Sequence, residues 1–266
     1  MANVEMFEPA PAEGLRVERQ RFLHVPFDPL EQSAVVQLVG RSHRDLPFRY
    51  IVTPNADHVV RLNRQPELMP FYEQAWLTLC DSKPIHLFAR TRARNLTHVT
   101  GSDLTNRLFD TVIRPGDRIV MIVATQAIAT DIQVAYPDLD IRAHVPPAGL
   151  LNNRAAIEHC IHFVERQRGR FVFIAVGSPQ SEKIAWLLAR RGIAVGIGLC
   201  IGAALEFLVG NKKRAPLWMQ QMSLEWLHRM AGDPKRLWRR YVYGAMPLMG
   251  LFLQEMSQRD KAGRSA

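Results

Sequence analysis

An α/β fold, a mostly parallel sheet with helices on both faces and a helical appendage at the carboxyl end, is predicted by three features of the sequence. From Arg49 onward, short runs that are apolar throughout recur, as expected of strands covered on both sides. Between them lie stretches with apolar residues at helical spacing. Beyond Gly210 the character changes to interleaved aromatic and basic residues. Strands alternating with helices make the sheet Rossmann-like and doubly wound.

Taken in order, residues 1–20 read as a flexible lead-in, with Pro9, Pro11 and many charges. Glu5, Glu8 and Glu13 stand where a signal peptide would have a basic and then an apolar run. Residues 21–210 read as one Rossmann-like α/β domain. Its expected strands run from Tyr50 to Thr53, Trp76 to Cys80, Arg118 to Val123, Asp140 to His144, Phe171 to Val176 and Ala194 to Ile197. Its expected helices run from Ala56 to Asn63, Glu67 to Gln74, Asp103 to Ile113, Arg154 to Arg168 and Gln180 to Arg191. Residues 211–266 form the appendage, with Trp218, Trp226 and Trp238 among its basic residues.

Composition narrows the class. The 266 residues are 47% hydrophobic, enough for one large α/β core. Lys and Arg outnumber Asp and Glu by 34 to 25, a formal charge of +9, so the expected partners carry negative charge. Cys80, Cys160 and Cys200 follow no ligand spacing and read as buried thiols. The longest nearly apolar stretches fall short of the ~20 residues a spanning helix needs.

Candidate chemistry follows from the sheet, because open parallel sheets bind ligands beyond the carboxyl ends of their strands. The first strand runs into Thr53-Pro54-Asn55-Ala56-Asp57, and the second into Cys80-Asp81-Ser82-Lys83-Pro84, which puts a carboxylate on that rim. The strand ending at Val176 turns through Gly177-Ser178-Pro179-Gln180-Ser181-Glu182 into a helix, and Thr100-Gly101-Ser102-Asp103 opens another. Helix starts of this kind can hold anions, although each is also a plain capping sequence. Asp138 and Asp140 have a metal-like spacing but precede a strand, at the wrong edge, so no metal is called for.

These turns, in this order, resemble the WecG/TagA/CpsF family of bacterial glycosyltransferases, glycosyltransferase family 26. The matching stretches are Val52 to His58, the Asp81 turn, Val99 to Leu104, Val176 to Pro179 with Glu182-Lys183, and Gly210 with Lys213-Arg214-Ala215-Pro216. The most specific are Leu224 to Arg229 and Asp233 to Tyr241. The resemblance implies an inverting, metal-independent transferase. It would move a sugar from a UDP-sugar to a polyprenyl-diphosphate-linked acceptor at the inner face of the cell membrane, in surface or exopolysaccharide synthesis. It implies Asp81 as general base, with Thr53 beside it. Asn55, Thr100, Ser102, Asp103, Gly177, Ser178, Gln180 and Glu182 would line the substrate site. The appendage would meet an anionic membrane surface and turn Arg214, Arg229, Arg236, Arg239 and Arg240 towards the diphosphate. A homo-oligomer is compatible with all of this.

The chain departs from the family pattern in three places. Ser82 stands where glycine is usual, Ser181 where glutamine is usual with Gln180 one place early, and Ala124-Thr125-Gln126-Ala127 replaces a glycine-rich turn. These changes signal a different donor sugar, favoured because Asp81 and Thr53 are kept, or else an altered nucleotide pose or a loss of activity; a catalytically impaired member serving as a scaffold in polysaccharide assembly is the alternative function.

Two other classes are disfavoured. A dinucleotide-dependent oxidoreductase needs Gly-x-Gly-x-x-Gly, and the run Gly196 to Gly202 has its last glycine one place late. A nucleic-acid binder would spread its charge along a groove, whereas here it is concentrated in the appendage. There, tryptophans and arginines suit a lipid interface, with Met246, Leu248, Met249, Leu251, Phe252 and Leu253 extending the apolar surface.

Overall fold

A computed structural model describes residues 18–42, 46–211 and 246–257. The described chain opens with an antiparallel hairpin of β1 (Gln20–Phe22) and β2 (Val25–Phe27). Its two linking residues, Leu23 and His24, both have positive φ, 50° and 65°. Such turns match the twist of a hairpin, but they normally carry Asn or Gly, so this one has no sequence signal. Arg19 grips both oxygens of Asp28 at 3.0 and 2.9 Å, and the Thr78 amide donates to Asp28 Oδ2 at 2.7 Å. That clamp ties the hairpin to the edge of the main sheet.

The main sheet has six strands: β3 (Arg49–Val52), β4 (Leu77–Thr78), β5 (Arg118–Val123), β6 (Asp140–His144), β7 (Phe171–Ala175) and β8 (Ile197–Cys200). They lie in the order β4-β3-β8-β7-β5-β6, and every pairing is parallel. Around them are α1 (Gln32–Gly40), α2 (Ala56–Arg64), α3 (Pro70–Glu73), α4 (Lys83–Thr91), α5 (Gly101–Thr111), α6 (Gln126–Ala135), α7 (Arg154–Gln167), α8 (Gln180–Arg191) and α9 (Ala204–Leu208). Successive strand residues point to opposite faces, so each apolar run feeds two cores. Tyr50, Val52, Val120, Ile122, Val172 and Ile174 pack with residues of α2, α4, α7 and α8. Ile51, Ile119, Met121, Phe171 and Phe173 pack with α1, α5, α6 and α9. All three cysteines are buried and unpaired, and burial pushes the Cys80 and Cys160 thiols up to about 12 and about 11.

Three element readings need correction. The last strand is Ile197–Cys200 and not Ala194 to Ile197. Val195 instead bridges Pro47, and the chain enters the sheet only after Gly196, whose φ is +87°. A side chain there would run into the carbonyls of Gly169 and Arg170, so the apolar run has a hinge that periodicity does not reveal. The helix expected from Glu67 to Gln74 is split into a 3-10 turn (Pro66–Leu68) and α3, because Pro70 has no N–H to continue it. The second strand is paired only over Leu77–Thr78, with Cys80 making an isolated bridge to His98. Helices α1, α4, α6 and α9 were not anticipated.

Residues 246–257 form a helix. Leu248, Leu251 and Phe252 face the body, and the Phe252 ring stacks on Phe88 of α4 with centroids 3.9 Å apart. Met246, Met249, Leu253 and Met256 recur at helical spacing and are exposed by 42–72%. No helix of the described residues is long and apolar enough to cross a membrane.

Candidate active site

The carboxyl ends of β3, β4 and β8 converge with the start of α5. The Thr53 hydroxyl, at the end of β3 and 8% exposed, donates to the Cys200 carbonyl of β8 at 3.3 Å. The Asp81 amide donates to the Pro54 carbonyl at 3.1 Å, which sets the turn after β4 against the turn after β3. Asp81 Oδ2 accepts the Gly101 amide at 3.0 Å. That amide is an orphan donor of the first turn of α5, where the helix dipole favours negative charge. A Cβ on Gly101 would lie 3.1 Å from Thr53 Oγ1 and 3.3 Å from the Ile201 carbonyl. Glycine is therefore what lets α5 come close enough to seat Asp81 beside Thr53.

Thr100 caps α5: its Oγ1 accepts the Asp103 amide at 3.0 Å and donates to Asp103 Oδ2 at 2.7 Å. Gln32 Nε2 donates to the Asp103 carbonyl at 2.9 Å, joining α1 to the same turn. Ser102 is partly exposed in that first turn. In the turn before α4, the Ile85 amide reaches the Ser82 hydroxyl at 3.4 Å, so Ser82 caps the helix that follows the carboxylate. That gives the departure from glycine a local physical reason.

A second group gathers around the starts of α2 and α8. Asn55 is the N-cap of α2; its Oδ1 accepts the amides of Asp57 at 3.0 Å and His58 at 3.3 Å. Gly177 has φ +86° and leads through a cis Ser178–Pro179 peptide into α8. Arg61 Nη1 of α2 donates to Ser178 Oγ at 3.1 Å across the gap between the two helices. Ser181 is 2% exposed, and its hydroxyl accepts the Val176 amide at 3.3 Å, so it serves the turn itself. Gln180 Oε1 and Glu182 Oε2 are buried acceptors with no hydrogen-bond partner among the described residues. Glu182 is 4% exposed, and burial pushes its carboxyl up to about 7 against the opposing pull of its own helix amide, Ser178 and Arg61. The Tyr72 hydroxyl and the Cys200 thiol beside it are raised well above their usual ranges, also by burial.

The structure thus collects Thr53, Asp81, Thr100, Ser102 and Asp103 in one group and Asn55, Gly177, Ser178, Gln180 and Glu182 in another, with residues 53–57 linking them. Arg214, Arg229, Arg236, Arg239 and Arg240 lie outside the described residues. Arg61 joins the site without having been singled out, and His58 and Gly101, named only within their turns, join it with contacts of their own. The spacing of Asn55 and His58, N-cap and third helical residue, was the available signal for His58. Among the described residues no three His, Cys, Asp or Glu side chains cluster as metal ligands would. Asp140, at the opposite edge, is held by Arg118 at 2.6 Å and Arg142 at 2.7 Å, and the Arg118 bond holds its carboxyl below the usual range.

Comparison with known proteins gives a consistent picture. The Glycosyl transferase WecG/TagA/CpsF family matches residues 20–262. A Bacillus subtilis (strain 168) protein named N-acetylglucosaminyldiphosphoundecaprenol N-acetyl-beta-D-mannosaminyltransferase is 29% identical over 159 residues. That match spans 57% of this chain and 58% of the relative. A Staphylococcus aureus (strain MRSA252) protein of the same name is 22% identical over 196 residues, 71% of this chain and 74% of the relative.

Proposed function

This chain belongs to the WecG/TagA/CpsF family of glycosyl transferases, and from that premise we propose that it transfers a sugar from a UDP-sugar to a polyprenyl-diphosphate-linked acceptor in cell-surface or exopolysaccharide synthesis. The relatives' names, which specify N-acetylmannosamine transfer to an N-acetylglucosaminyl-diphosphoundecaprenol, support the class of acceptor. The observation that carries the reading is the Asp81 carboxylate, seated on the first turn of α5 and set against the Thr53 turn.

In this reading the acceptor hydroxyl gives its proton to Asp81 as its oxygen bonds to the anomeric carbon. The bond from that carbon to the UDP oxygen breaks on the opposite side, and the sugar is inverted. Charge gathering on the departing diphosphate is offset by the start of α8 at Ser178 and by guanidinium groups, among them Arg61 and the appendage arginines, without a metal. The exposed stripe Met246, Met249, Leu253 and Met256 supports a peripheral seat on the inner face of the cell membrane.

Purified protein is to be given UDP-glucose, UDP-N-acetylmannosamine or UDP-N-acetylmannosaminuronic acid with a short polyprenyl-diphosphate-sugar acceptor. One donor is expected to yield a product of inverted configuration. Asp81→Asn should lower kcat by about 100-fold or more with the fold intact. Equal turnover by the two proteins removes Asp81 from the chemistry, and no turnover with any donor favours the scaffold role.

A further inference from the structure

Beneath the carboxyl edge of the sheet, α2, α3 and α8 enclose a carboxyl group that the transfer reaction as described does not use. Glu182 lies in the first turn of α8 with its Oε2 unpartnered among the described residues and its Oε1 3.7 Å from His58 Nε2. The groups facing it are His58 and Arg61 of α2, Tyr72 of α3, Ser178 of the preceding turn, Tyr50 of β3 and Cys200 of β8. Burial keeps the two phenols and the thiol neutral, so Arg61 supplies the positive charge that Glu182 meets, and His58 adds to it when protonated.

The other side of the same imidazole faces the site. His58 Nδ1 is 3.1 Å from the Asn55 amide and 2.8 Å from Asn55 Oδ1. One ring nitrogen cannot serve both at once. Without a proton, Nδ1 accepts the Asn55 amide and closes the capping box of α2. With a proton, it donates to Oδ1 and competes with the Asp57 and His58 amides that bind the same oxygen. The proton on Nδ1 depends in turn on what Nε2 meets across the 3.7 Å gap, a carboxylate or a neutral acid.

We infer that Glu182 is a positioning residue: acting through the His58 imidazole, it selects how Asn55 is held in the turn after β3, so that nucleotide binding at that turn responds to a proton shared by the two side chains. The nucleotide part rests on the donor reading above; the coupling of Glu182 to His58 does not. Glu182 gains or loses its proton near neutrality, because burial pushes its carboxyl up to about 7.

Two measurements test this on the full chain. In the ligand-free protein, the His58 ring nitrogens are followed by ¹⁵N NMR from about pH 5 to about pH 9 in wild type, Glu182→Gln and Glu182→Asp. The expected result is a His58 titration displaced by Glu182→Gln and largely restored by Glu182→Asp, with His86 and His98 unmoved. Calorimetry with UDP then reads affinity across the same range. Beyond the change due to the terminal phosphate of UDP, which titrates near about pH 6 and is common to all three proteins, wild type should change about threefold or more between pH 6 and pH 8, while Glu182→Gln and His58→Asn add nothing to it. A His58 titration that is the same in wild type and Glu182→Gln overturns the coupling. A UDP profile with the same pH dependence in wild type and in both variants overturns its reach into the site. If UDP binds to none of the proteins, the donor reading fails, and the NMR titration still decides the pair.

Discussion

Replacing Glu182 by Gln should make the protein more stable in mild alkali and leave it nearly unchanged in mild acid. The carboxyl ordinarily ionises near 4.5, and in the folded chain burial pushes this up to about 7. A folded value above the unfolded one means that the group's contribution to stability is fully present below about 4.5 and is lost as pH rises through about 7. At about 1.4 kcal/mol for each pH unit separating the two values, the ionised carboxylate costs the fold up to about 3 kcal/mol above neutrality. Glutamine keeps the shape and cannot ionise, so it escapes that cost, in which the attraction of Arg61 is already counted, and the expected gain is about 2–3 kcal/mol. For a chain of this size that is a rise in Tm of about 3–10 °C. Urea unfolding of both proteins at about pH 5 and about pH 8 measures it. A Glu182→Gln difference that is the same at both pH values refutes the reasoning, because only a titrating group makes the difference depend on pH.

Two further outcomes follow from particular contacts. Asp28→Ala removes the carboxylate that Arg19 and the Thr78 amide share, and it should cost about 3 kcal/mol in urea unfolding, since it strands a partly buried guanidinium; a loss under about 1 kcal/mol would mean that the hairpin is held by its apolar residues alone. Gly101→Ala places a methyl 3.1 Å from Thr53 Oγ1 and should lower transfer about tenfold or more while changing Tm by only a few degrees; wild-type turnover would show that the start of α5 can move without disturbing Asp81.

The fold was legible where a strand is buried on both faces and long enough to be read. Arg118–Val123 and Asp140–His144 carry the bounds expected of them, and the helix Gln180–Arg191 is placed to the residue. Elements defined by turn geometry escaped. The hairpin at Leu23-His24 has no Asn or Gly to announce it, and the hinge at Gly196 is hidden inside an apolar run. In the site, the rim turns could be located because parallel sheets place ligands there, but partners across the sheet could not. Nothing in the spacing of His58 and Glu182 says that they lie 3.7 Å apart, since that contact depends on β3 and β7 flanking β8. The family departures become simpler in three dimensions: Ser82 and Ser181 both satisfy backbone amides of their own turns.

The attachment of helix 246–257 to α4 has a consequence for where its exposed stripe stands. Asn211, just past α9, bonds to Asp131 of α6 at 2.6 Å, whereas Phe252 lies on Phe88, against the opposite face of the sheet. The described chain thus leaves the body at Asn211 on one face of the sheet and lies at Leu248 and Phe252 on the other. Because α4 starts at Lys83, directly after the Asp81 turn, a surface that takes up Met246, Met249, Leu253 and Met256 meets a foot bolted to the helix that leaves the carboxylate.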